Sequence, residues 1–92
     1  MYLEIVTPET SLVSGEVESV SVPGVNGEFQ MLNNHASIVS SLQKGKVVFR
    51  GEPVITEGFE DKFTKDGKDT WILEINGGTI EMKDNKVIVL AD

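Results

Sequence analysis

Apolar and polar residues alternate most regularly late in the chain. Trp71, Leu73 and Ile75 fall on one face opposite Thr70 and Glu74, and Ile80 and Met82 alternate with Thr79, Glu81 and Lys83. A period of two marks half-buried strands. The run Val87-Ile88-Val89-Leu90 lacks alternation, which predicts a strand covered on both faces or placed where two sheets meet, with Val87 and Val89 facing the core. Further runs rich in β-branched or aromatic residues lie at 2–6, 16–22, 28–32, 36–42, 46–50 and 53–56. Turn-forming pairs punctuate them, among them Pro23-Gly24, Asn26-Gly27, Asn33-Asn34, Lys44-Gly45, Asn76-Gly77-Gly78 and Asp84-Asn85. No segment keeps a 3.6-residue period, and the only helix-like stretch, His35 to Gln43, is short and rich in Ser. The pattern predicts an all-β fold: a two-sheet β-sandwich of about 8–10 short, mostly antiparallel strands.

Residues 57–69 break the rhythm. They hold eight charges and two isolated aromatics, and read as an exposed hairpin or extended loop whose Phe59 and Phe63 fold back onto the sheet. At 92 residues the chain has room for one core, and residues 1–92 are expected to form a single domain. Val and Ile together number 19 against 8 for Ala and Leu, a bias toward pleated surfaces and away from helices. There is no cysteine, so neither disulfides nor thiolate metal sites supplement the core.

Charge narrows the partners. Fifteen acids against eight bases give a net −7, and an acidic surface repels the phosphates of nucleic acid. Residues 1–43 contain Glu4, Glu9, Glu16, Glu18 and Glu28 and no Lys or Arg. This asymmetry is either ordinary solubilising charge or a field that steers a cationic protein surface toward the first half. No apolar run approaches the roughly 18 residues needed to cross a bilayer, so direct insertion is not expected. Strand-like residues follow Met1 at once, and the domain is expected to start there without a leader.

Catalytic chemistry finds little support. His35 is the only histidine, and Ser37, Ser40 and Ser41 near it sit in no nucleophile-elbow pattern. One histidine with scattered carboxylates does not make a closed zinc site. Asp61, Asp66 and Asp69 are interleaved with Lys62, Lys65 and Lys68 and lack the spacing of a calcium loop. Gly24-Val25-Asn26-Gly27 has two glycines and no following Gly-Lys-Ser/Thr, so it reads as a turn between strands, not a phosphate cradle. No cofactor is expected, and the reading is of a protein that is not an enzyme.

The most unusual segment runs from Val20 to Ala36. It reads as a strand, a turn, a second short strand and a loop that presents Glu28, Gln30 and His35 beside Met31 and Leu32. An acid at the rim of an apolar, Met-containing patch suits protein recognition. The competing reading puts Met31 and Leu32 in the core.

The same segment carries a resemblance that extends over nearly the whole chain. It includes Val13 with Ser14-Gly15, Val17-Glu18-Ser19-Val20, Gly27-Glu28-Phe29 continuing to Leu32, His35-Ala36, and Leu42 with Gly45. Near the end it includes Gly77-Gly78, Glu81, and the run from Asn85 to Asp92. Together these residues resemble the N-terminal β-sandwich domain of the epsilon subunit of bacterial F-type ATP synthase. The resemblance implies a non-catalytic rotor component of the central stalk, packed against the gamma subunit and standing on the c-ring. It also implies peripheral association with the cytoplasmic face of the bacterial inner membrane through the complex. In that family the loop matching Gly27 to His35 lies toward the ring and gamma, so Glu28, Gln30, Met31, Leu32 and His35 are the expected interface residues, with Glu28 facing Arg-bearing c-subunit loops. The chain departs from the family pattern at Gln30, where Gly is usual, at or near Asn33 and Ser37, where Pro is usual, and over residues 50–70. Many relatives continue past the position of Asp92 into a helical hairpin that inhibits the enzyme and in some binds ATP; both properties are expected to be missing here. The alternative is a free-standing acidic β-sandwich module for a small ligand or glycan, which requires a concave, aromatic-lined cleft containing Trp71.

Overall fold

Strand β1 (Tyr2–Val6) turns Leu3 and Ile5 fully inward and leaves Tyr2 at the surface, and the same two-residue period fixes the inside of nearly every strand after it. The computed structural model describes residues 1–92. Ten strands account for most of them: after β1 come β2 (Ser11–Gly24), β3 (Gly27–Leu32), β4 (Ile38–Leu42), β5 (Gly45–Gly51), β6 (Val54–Ile55), β7 (Phe63–Lys65), β8 (Thr70–Ile75), β9 (Gly78–Lys83) and β10 (Lys86–Ala91). A single turn of 3-10 helix, Glu60–Lys62, is the only helical element.

The strands form two leaves that share β2. Its first part pairs with β1 and β6, as in Ile5↔Val13 and Val13↔Ile55. Its second part pairs with β5 and β3, as in Val20↔Phe49 and Val20↔Met31. The register breaks between Val17 and Ser19, where the strand passes from one leaf to the other. One leaf is therefore β4-β9-β10-β1-β2-β6 and the other β3-β2-β5-β8-β7. All pairings are antiparallel except β1 with β10. Hydrogen-bonded neighbours lead from β2 through β1, β10, β9 and β4 and return to β2 at Gly24↔Leu42. A path that closes on itself resists shear between the leaves more than two sheets held by side chains alone.

Twenty buried apolar residues make one core, with Phe49, Leu3, Ile5, Met31, Ile80 and Met82 the largest at its centre. No polar or charged side chain is buried, so the core rests on packing and the backbone ladders alone. Val87 and Val89 are fully buried, as their positions predicted. The other face of β10 is not covered: Ile88 is half-buried and Leu90 is 51% exposed. Its lack of alternation therefore reflects apolar residues on an open face, not burial on both.

Two boundaries differ from the sequence reading. The expected strand 16–22 is the middle of the 14-residue β2, because Gly15 and the Pro23-Gly24 pair continue the ladder instead of ending it. β4 falls inside the strand run expected at 36–42, and the short helix-like stretch 35–43 forms no helix. The loop 57–69 holds the 3-10 turn and β7; within it Phe63 is buried and Phe59 packs against the core, the fold-back expected of them.

At the start of β9, Gly78 has φ +150°, and a Cβ there falls 2.0 Å from the Leu90 carbonyl oxygen. Only glycine lets β9 and β10 come together at this point.

Candidate functional site

The β2–β3 hairpin turns on two residues, Val25 and Asn26, between the paired Gly24 and Gly27. Gly27 takes φ +122°, a conformation that side-chain-bearing residues rarely adopt. A two-residue turn makes the flanking pair a hydrogen-bonded one, and the alternation of an antiparallel ladder then fixes the rest. Gly24–Gly27, Val22–Phe29 and Val20–Met31 exchange bonds inside the hairpin, while the backbone groups of Glu28, Gln30 and Leu32 point away from β2. Two contacts agree with this parity. Pro23, opposite Glu28, has no N–H, and its carbonyl accepts from the Gln43 amide at 2.8 Å on the far side from β3. The Leu32 carbonyl likewise accepts from the His35 amide, at 3.1 Å, and not from β2.

The ladder also sorts the side chains. Phe29 and Met31 turn inward, Phe29 half-buried and Met31 fully buried. Glu28, Gln30 and Leu32 turn outward and are exposed. Of the five residues expected at an interface, Glu28, Gln30 and Leu32 line the outward face of β3, and Met31 does not join them. Glu28 lies beside the turn and Leu32 at the other end of β3, four residues or about 13 Å along the strand, with His35 exposed in the loop beyond. Met31 has no exposed surface; it holds β3 onto the core and leaves the outward face of the strand to its neighbours. The core reading was right for Met31 and wrong for Leu32, which is 55% exposed.

Side chains far apart in sequence hold the loop after β3. The Met1 amino group donates to Asn33 Oδ1 at 2.5 Å and lies 3.4 Å from Glu16 Oε1. The Asn34 amide donates to Asn85 Oδ1 at 2.8 Å, with Asn34 itself at φ 60°. His35 Nδ1 lies 2.8 Å from the Ala36 carbonyl oxygen. Sequence reasoning passed over Asn33 and Asn85 as turn residues; their pairing is non-local, and the only hint of it was two Asn-containing turns.

Glu28 enters no ion pair. The one side-chain ion cluster lies on β5, where Arg50 Nε sits 3.1 Å from Glu18 and 3.2 Å from Asp69. The hydrogen bond to Asp69, then the charges of Glu18 and Asp69, push the guanidinium pKa above its ordinary value.

No group of three His, Asp or Glu side chains is placed to hold a metal ion. Two fissures, of about 420 and 580 Å³, open near the Thr7-Pro8 loop and the end of β10. Trp71 lines neither of them; its ring lies under Lys65, whose Nζ is 4.7 Å from the centroid. The glycan alternative thus lacks the cleft it needs. No helix is long and apolar enough to cross a membrane.

Known proteins give this chain a context. The family described as ATP synthase, Delta/Epsilon chain, beta-sandwich domain matches residues 1–92. An ATP synthase epsilon chain of Campylobacter curvus is 39% identical over 92 residues, the whole of this chain and 60% of that protein. One of Chlorobaculum tepidum is 38% identical over 90 residues, covering 98% of this chain and 86% of its own length. One of Caulobacter vibrioides is 33% identical over 92 residues and is covered over 90% of its length. The chain therefore spans about three fifths of the Campylobacter relative and most of the other two. Among solved structures, a chain from the central stalk and c-ring of the Tetrahymena thermophila mitochondrial ATP synthase matches 99% of this chain and 62% of its own, with a TM-score of 0.65 and 13% identity. That likeness is one of fold.

Proposed function

The chain belongs to the β-sandwich family of ATP synthase delta and epsilon chains, and on that premise we propose that it is a non-catalytic rotor subunit of the central stalk of a proton-translocating F-type ATP synthase. In this role residues 1–92 act as one domain that couples rotation of the c-ring to the gamma shaft, peripheral to the membrane and at its cytoplasmic face.

The observation that carries the reading is the family match over the full 92 residues. The physics of the fold supports it. A coupling part must move as one body, and here the strand pairing closes on itself through β2 around a single apolar core. Close-packed interiors of this kind deform little. Glu28, Gln30 and Leu32 on the exposed face of β3, with His35 in the loop beyond, are the residues proposed to face gamma and the ring. Glu28 supplies an unpaired acid in the half of the chain that has no Lys or Arg, which suits a partner loop that carries Arg.

The experiment is a pull-down from a bacterial membrane extract with the tagged protein as bait. Recovery of the gamma subunit, and of c-ring together with it, is the expected result. Recovery of neither, with a normally folded bait, removes the proposal.

A further inference from the structure

Strand β3 ends its leaf: β2 lies on one side and no strand on the other. By the parity of the hairpin, the N–H and C=O groups of Glu28 and Gln30 point to that open side. We propose that this edge captures an extended segment of a partner protein by strand addition, a segment with basic side chains at alternate positions and apolar ones between them. The proposal deepens the reading in which the same edge is a docking surface, and specifies how the partner is held.

Three features select this occupant. Two residues with free, parallel-facing donor and acceptor groups offer the main-chain pairing that strand addition uses. The two-residue period then assigns the side chains. Alternate residues of the added strand lie on the outer face beside exposed Glu28 and Gln30, and those between lie on the inner side beside half-buried Phe29. The first set meets an acid without an ion-pair partner and is best filled by Lys or Arg; the second meets an aromatic ring and is best apolar. Finally, charge disfavours a second copy of this chain. An antiparallel self-pairing centred on Gln30 sets Glu28 against Leu32, supplies no base, and joins two molecules of net −7.

The test uses the isolated chain and two synthetic hexapeptides, acetyl-Val-Lys-Val-Arg-Val-Thr-amide and its counterpart with Glu and Asp in place of the bases, followed by amide exchange in NMR spectra. Saturating basic peptide is expected to slow exchange at Glu28 and Gln30 by about tenfold or more, the effect of closing a backbone hydrogen bond, while the acidic peptide leaves both unchanged. Q30P removes one donor at a position where an edge strand tolerates proline, and should weaken the basic peptide by roughly tenfold with a dispersed spectrum. E28K keeps the backbone edge and should reverse the preference between the peptides, so the idea stays testable even if Q30P fails to fold. No slowing at Glu28 and Gln30, equal response to both peptides, or a dimer that protects these amides without peptide overturns the proposal. Peptide capture needs no ring, so loss of ring binding with capture intact defeats only the rotor reading, and the reverse result defeats only strand addition.

Discussion

Phe49 and Phe63 meet edge to face, their ring centroids 6.0 Å apart and their planes at 82°. Phe49 is fully buried on β5, and Phe63 opens β7 at the edge of the same leaf. The contact therefore anchors the charged segment 57–69 to the core. F63A removes that anchor and leaves a cavity, and is expected to cost about 3 kcal/mol. Urea denaturation followed by tryptophan fluorescence measures it, and a midpoint close to that of the unaltered protein contradicts the anchoring role.

Gly78 allows β9 and β10 to close. A methyl group there meets the Leu90 carbonyl oxygen at 2.0 Å, in a backbone conformation unfavourable to alanine. G78A combines overpacking with backbone strain and should destabilise the protein by about 3 kcal/mol. A thermal melt within a degree or two of the parent protein is the adverse outcome.

Val89 and Leu90 are neighbours with opposite fates. Val89 is fully buried and Leu90 is 51% exposed. V89D places an unpaired charge among apolar neighbours and should leave the protein largely unfolded at 25 °C, since that penalty is comparable with the whole stability of a small domain. L90D puts the same charge in water and should change stability by less than about 1 kcal/mol. Circular dichroism of the two variants decides the matter; equal behaviour of the pair rejects the assigned faces of β10.

Glu28 tests the proposed interface separately from the fold. It is exposed and enters no ion pair, so E28K should shift stability by no more than about 0.5 kcal/mol. Assembly with the c-ring should weaken, and the difference from the unaltered protein should shrink at high salt as screening removes the charge contribution. Co-sedimentation with the gamma and c-ring assembly at two salt concentrations gives the readout. Unchanged or stronger binding places the contact elsewhere.

Local pattern gave much of the fold. Alternation at Trp71, Leu73 and Ile75, and again at Ile80 and Met82, located β8 and β9, and the β-branched run from Val87 to Leu90 located β10. Turn residues separated them because Gly, Pro and Asn favour backbone angles that strands do not use. The same rule misled at Pro23-Gly24, which lies within β2: a turn-forming pair says only that the backbone favours a bend, and whether the ladder stops there depends on strands elsewhere in the chain. The site was less legible. Glu28 and Gln30 are polar residues that any strand edge exposes, but the direction of Met31 waited on the strand it pairs with.

The sequence by itself determined that this chain builds strands around an apolar core, that its first 43 residues carry acid without base, and which family it resembles, because period, charge and motif are properties of neighbours along the chain. Tertiary structure alone decided that β2 belongs to both leaves, that Met31 supports the edge while Glu28 faces outward, and that Met1 and Asn85 secure the loop after β3. Those outcomes depend on the register between distant strands: a one-residue slip exchanges inside for outside, and only the packed leaves together select one register.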